Sequence, residues 1–296
     1  MAQLVLRDMS RLGYQEAGAG PALLLIHGWG ANSDFFEPQR RALAQRFRVI
    51  TPDLRGHGAS PIGSAVLTVD QLAADLEAFM EALDLREVLA VGWSLGAMAI
   101  WKMLQGPGRR RVAGIAVLDM SAKVANDGAW RLGLKGGIDS GAALLAADVM
   151  TTDWTGFTRA MAERLVAEGS QEDREPLIAW MAGQAALNAP GPLADLWRSL
   201  VAQDFREDLS GLDLPVLLAH GALSQFYAAE TAEDLERRLP RARRVRFEHS
   251  GHALHLEEPD RFHQILIEFA DALTRADHEQ APPTHETASK PGGGTP

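Results

Sequence analysis

The chain contains no cysteine, and that one absence excludes disulfides, thiolate metal sites and a cysteine nucleophile together. It also lacks a basic excess: 29 Lys and Arg stand against 39 Asp and Glu, a net charge of −10. A surface of that sign repels phosphate backbones and anionic bilayers, which argues against nucleic acid and membrane partners. No apolar run approaches the roughly 18 residues of a membrane-spanning helix. The opening stretch MAQLVLRDMSRLGY has neither a basic n-region nor an apolar h-region. The expectation is a soluble, cytoplasmic protein. What is present is ordinary globular composition, 46% hydrophobic and 23% charged over 296 residues, enough for a large core. That length suits two domains, or one α/β domain with an insertion.

Short apolar runs alternate with helical patterns from about residue 22 to residue 119. The runs are ALLLIH (22–27), RVITPD (48–53), EVLAVG (87–92) and AGIAVLD (113–119). The clearest helix opens with a Thr68-x-x-Gln71 capping box and aligns Leu72, Leu76, Phe79, Met80 and Leu83 on one face. Continuous apolar runs separated by helices predict strands buried on both faces, hence a parallel sheet. The pattern returns with PVLLAH (215–220), a helix near 228–239, RVRFE (244–248) and a last helix near 259–273. Between the two blocks, 123–212 carries no strand signal and four tryptophans, Trp130, Trp154, Trp180 and Trp197. This stretch reads as a helical insertion, a cap, in a core of 1–122 and 213–276. Residues 277–296 hold seven Gly or Pro, too little to repay ordering, and are expected to be a disordered tail.

The strongest chemical signal is Gly92-Trp93-Ser94-Leu95-Gly96, placed between an apolar run and a helical pattern. A serine on so tight a strand-to-helix turn needs small residues two positions either side. The turn aims Oγ outward, and the following helix N-terminus favours developing negative charge. Just after the first run stands His27-Gly28-Trp29-Gly30. Acyl transfer needs two backbone N–H donors aimed at the oxyanion, and Leu95 and Trp29 are the candidates. Gly28, Trp93 and Met120, with Trp29 and the insertion's tryptophans, are candidates for an apolar pocket. No His, Asp or Glu cluster has metal spacing, so neither metal nor cofactor is expected.

These motifs, with Asp53-Leu54-Arg55-Gly56-His57-Gly58 and Ser250-Gly251-His252, occur in the order and context of the α/β-hydrolase fold family. The chain resembles it over about residues 12–275, most closely its small serine carboxylesterases, which include pimeloyl-carrier-protein methyl ester esterases, and more distantly enol-lactone hydrolases. The resemblance implies an eight-stranded, mostly parallel sheet flanked by helices, with the cap inserted after the sixth strand. It makes Ser94 the nucleophile and His252 the base, ahead of His249 and His255, which lack the Ser-Gly-His context. His27 and His57 read as braces of their loops, and Asp53 with His57 as structural. His220, His263, His278 and His285 have no assigned role.

The acid departs from the common pattern. Its usual place, three residues beyond the glycine of His220-Gly221, is Ser224, and Glu230 beyond it belongs to the next helix. An imidazole without an anionic partner loses its tautomer control. Asp119 ends the run 113–119, where some members of the family, certain lipases and haloalkane dehalogenases among them, carry the acid. Asp119 is therefore the candidate, with a turn-capping role beside Ser121 as the alternative.

The expectation is hydrolysis of carboxylic esters of small or medium acyl groups through an acyl-enzyme. Lactonase, thioesterase, C–C hydrolase or haloperoxidase chemistry on the same three residues stays open, as does a non-catalytic relic that holds a small molecule. The arginines 237, 238, 241, 243, 244 and 246 offer a docking face for an acidic acyl-carrier protein, or a solvated helix end and strand edge.

Overall fold

The computed structural model describes residues 1–63, 66–169 and 171–280, without the side chains of 171–173 and 276–280. Eight strands form one sheet in the order β1-β2-β4-β3-β5-β6-β7-β8. They are β1 (Ala2–Val5), β2 (Arg11–Ala17), β3 (Ala22–Ile26), β4 (Arg48–Pro52), β5 (Val88–Trp93), β6 (Val112–Leu118), β7 (Val216–Gly221) and β8 (Ala242–Phe247). From β4 to β8 every pairing is parallel, and β1 and β2 join antiparallel at one end. The six runs read from the sequence are β3 to β8, each within two residues of its expected start. The antiparallel pair β1–β2 carried no comparable apolar run, and residue patterning did not reveal it.

Neighbouring side chains within a strand serve opposite faces. Leu23 and Leu25 belong to one apolar cluster, Leu24 and Ile26 to the other. Both faces are therefore covered, which is why these strands read as unbroken apolar runs. The edge strand β8 is half-exposed and carries three arginines, charges that discourage pairing with another sheet. Registers such as Trp93 beside Leu118 and Leu118 beside Ala219 align the C-terminal ends of β5, β6 and β7. The loops that follow these strands share one edge, where ligands gather in such sheets.

Helices α1 (Glu37–Leu43), α2 (Val69–Ala82) and α3 (Leu95–Leu104) connect the first strands. Thr68 caps α2, its side chain accepting from the Gln71 N–H at 3.1 Å. The reciprocal half of the capping box is absent, because the Gln71 amide turns to Asp75 at 2.9 Å. Four helices, α4 (Ser140–Thr152), α5 (Trp154–Leu165), α6 (Gln171–Ala186) and α7 (Pro190–Val201), stand between β6 and β7. Then come α8 (Ala229–Arg238), α9 (Leu254–Glu257) and α10 (Pro259–Gln280). The last helix outruns its expected end and takes in the first four residues of the expected tail. The remainder, 281–296, lies outside the described residues.

Candidate active site

Ser94 occupies the junction of β5 and α3 with φ 53° and ψ −118°, a strained backbone for a side chain with a Cβ. Its N–H donates to the Leu118 carbonyl at 3.1 Å and its carbonyl accepts from Ala97 at 2.9 Å, so two elements hold the turn. The flanking glycines are needed for different reasons. A Cβ on Gly92 would lie 2.4 Å from the Ala97 nitrogen, and one on Gly96 would lie 2.3 Å from the Ile26 carbonyl oxygen. The first clash is within the turn itself; the second is with the neighbouring strand.

The segment 27–30 lies directly against this turn, since a Cβ on Gly28 would stand 3.3 Å from the Ser94 Cβ. Among the described residues, neither the Trp29 nor the Leu95 backbone N–H has a backbone acceptor outside its own helix or turn. His27 and His57 fasten the segment. His27 Nε2 accepts from the Leu54 N–H at 2.9 Å, and His57 Nε2 accepts from the Gly30 N–H at 3.2 Å. Burial pushes His27 down to about 4 and His57 down to about 3, so both remain neutral acceptors. Asp53 accepts from Ser33 at 2.7 Å and Ala59 at 2.8 Å. Arg55 forms a buried two-pronged pair with Asp75 at 2.6 and 2.7 Å.

His252 and Asp119 meet at the sheet edge. Nδ1 of His252 lies 2.7 Å from Oδ2 of Asp119, and both residues are almost wholly buried. Asp119 follows β6 with φ 45°, a conformation aspartate tolerates better than most residues. Ser224 joins the pair, its hydroxyl donating to the same Oδ2 at 2.6 Å. The competing histidines stand elsewhere. His249 is exposed, and His255 is packed on Phe36 at 4.7 Å and Trp93 at 4.9 Å, where burial pushes it down to about 3.

Ser94 and His252 both line one cavity. Gly28, Trp29, Trp93 and Met120 line it too. Trp93 is nonetheless a core residue, stacked on Phe35 at 5.6 Å with its indole N–H donating to the His252 carbonyl at 2.9 Å. Of the insertion's tryptophans only Trp197 reaches the cavity. Trp154 packs edge-on against Trp29 at 5.9 Å, Trp180 on Phe35 at 4.7 Å, and Trp130 lies beneath Arg206 and Arg238. The remaining wall, unread in the sequence, comes from Val124, Leu134, Met161, Leu165 and Leu200 of the insertion with Phe226 and Tyr227 after β7. Among the described residues, no Lys, Arg, Asp or Glu lines the cavity.

Glu257 was also missed. Its carboxylate accepts from the Ala167 N–H at 2.7 Å and the Gly251 N–H at 2.8 Å, tying the insertion to the loop that carries His252. Burial pushes its carboxyl up to about 7. A lone Glu in a helix gives no periodic signal, so sequence reading had nothing to find. The arginines 237, 238, 241, 243, 244 and 246 each meet a carboxylate of this chain, so that face is largely neutralised from within.

The sequence matches the model of the alpha/beta hydrolase fold family over residues 21–259. The chain belongs to that family. It is 33% identical to a pimeloyl-[acyl-carrier protein] methyl ester esterase of Vibrio cholerae, over 87% of this chain and 97% of that one. The esterase EaEST from Exiguobacterium antarcticum superposes with a TM-score of 0.84 at 22% identity, covering 91% of this chain and 99% of that one. A bromoperoxidase from Bacillus anthracis also gives 0.84 at 22% identity, over 91% and 100%. These two likenesses bear on the fold alone. Within the family the chain stands among the carboxylic ester hydrolases. Among the described residues, no helix is long and apolar enough to cross a membrane.

Proposed function

We propose that the protein hydrolyses carboxylic esters of small or medium, uncharged acyl groups through an acyl-enzyme formed on Ser94. His252 takes the Ser94 proton as Oγ attacks the ester carbonyl, then passes it to the departing alcohol. The Trp29 and Leu95 N–H groups hold the oxyanion. Asp119 keeps the imidazole in the tautomer whose Nε2 is free to accept, and stabilises the imidazolium. Water activated by the same histidine then releases the acid. Residues 123–212 form the cap that closes the cavity over the core of 1–122 and 213–276.

One observation carries the reading: the strained Ser94 lines a single cavity together with His252, whose Nδ1 lies 2.7 Å from the buried Asp119 carboxylate. The cavity's apolar wall supports a hydrocarbon acyl chain, and its lack of charge disfavours a free carboxylate at the chain end. The relatives' name adds a carrier-linked methyl ester to the candidates. The test is labelling by a fluorophosphonate probe together with a panel of p-nitrophenyl esters from C2 to C16, lactones, thioesters and a pimeloyl-carrier-protein methyl ester. Labelling at Ser94 and turnover of short to medium esters are expected. A protein that neither reacts with the probe nor turns over any ester is the non-catalytic relic instead.

A further inference from the structure

We propose that Ser224 is a positioning residue for Asp119: its hydroxyl, on the loop after β7, fixes the carboxylate against His252. The inference rests on the reading of Asp119 as the acid of the proposed function.

Ser224 is fully enclosed, at 1% exposure. Its Oγ faces the backbone N–H groups of Phe226 at 3.2 Å and Tyr227 at 3.3 Å, and accepts from both. A hydroxyl has one proton and two lone pairs. With the lone pairs engaged, the proton is committed to Asp119 Oδ2 at 2.6 Å. That oxygen also receives His252 Nδ1–H at 2.7 Å. Two donors from different loops therefore converge on one oxygen of a carboxylate carried by a third.

A serine at a turn needs only the bonds it accepts. The bond it donates lies outside the turn's own requirements, and it goes to an acid 105 residues away in the chain. The same short loop also walls the imidazole, with the Phe226 and Tyr227 rings centred 4.5 and 5.9 Å from that of His252. Donation to an ionised acceptor is about twice as strong as a neutral hydrogen bond. It fixes the Asp119 rotamer and draws charge from the oxygen that faces the imidazole. The loop that commonly supplies the acid here supplies the donor that holds it.

The test compares kcat, KM and the pH dependence of kcat/KM for wild type, Ser224→Ala and Ser224→Thr on one ester, with melting curves. Ser224→Ala is expected to lower kcat about tenfold with KM unchanged, the loss of roughly one charge-assisted hydrogen bond. The acidic limb of its profile should move to higher pH, because the carboxylate's charge then falls wholly on the imidazole. Ser224→Thr keeps the hydroxyl and should restore both. Wild-type kcat and an unmoved limb in Ser224→Ala would overturn the inference. So would a kcat loss that tracks a lowered Tm, leaves the limb in place and resists rescue by Thr. Should the wild type neither label at Ser94 nor hydrolyse any ester, the underlying reading falls, and this inference with it.

Discussion

Asp119 and His252 are separated by 133 positions in the chain, yet their Oδ2 and Nδ1 atoms lie 2.7 Å apart. The contact exists because β6 pairs with β7 and β7 with β8 in parallel. That pairing delivers the loops after β6 and β8 to the same edge of the sheet. Four predictions follow from this arrangement and its surroundings.

Ser94→Ala should abolish ester hydrolysis and leave the fold intact, because Ser94 makes no side-chain bond that holds α3. Retention of more than about a hundredth of wild-type kcat, with an unchanged melting curve, would show that another group is the nucleophile.

Asp119→Asn keeps the shape and removes the charge. Loss of the anionic orienter lowers kcat by about 10⁴ in serine proteases, and a drop of several orders of magnitude is expected here. Adding Ser224→Asp should recover part of the rate, since the Ser224 hydroxyl already touches the Asp119 oxygen that His252 uses. Near wild-type kcat for Asp119→Asn would turn attention to Glu230 or a carboxylate of the insertion.

Met161 lines the cavity and is only partly buried, so trimming it should cost little stability. Met161→Ala should move the optimum toward longer acyl chains. Each added methylene it accommodates is worth up to about 0.8 kcal/mol, roughly fourfold in kcat/KM. An unchanged chain-length profile would place the acyl group away from this wall.

Glu257 supplies a pH signature of stability. Burial raises its carboxyl from 4.5 to about 7, whereas the unfolded chain keeps the ordinary value. With the folded pKa raised, the favourable contribution is complete below pH 4.5 and is lost as pH climbs through about 7, because the folded state there holds a proton the unfolded chain has released. Arg174 and the two N–H donors oppose the shift, and Glu258 adds to it. Glu257→Gln carries no titrating proton, so its Tm should gain on that of wild type between pH 5 and 8. A Tm difference that stays flat over that range would show that Glu257 is ionised throughout.

The six parallel strands of the sheet and the two glycine-framed turns are legible in the sequence alone. Apolar runs such as ALLLIH and EVLAVG are unbroken because both faces of their strands are covered, and that pattern survives in one dimension. Gly92 and Gly96 are legible for a related reason: the clashes they avoid are with atoms of the turn and the adjoining strand. The absence of a carboxylate at Ser224 is equally visible in the sequence, and it leaves Asp119 as the candidate acid. What only the tertiary structure decided lies in contacts between distant segments. Nothing in the stretch Gly-Ala-Leu-Ser shows that Ser224 donates to Asp119, and nothing around Glu257 shows that it ties Ala167 to Gly251. The same holds for the tryptophans. Sequence placed the insertion's four as equal candidates for the cavity, while packing sent Trp197 there and turned Trp130, Trp154 and Trp180 to other partners. An indole satisfies the same burial term in any apolar site, so the choice between sites rests on shape and neighbours, which the fold alone supplies.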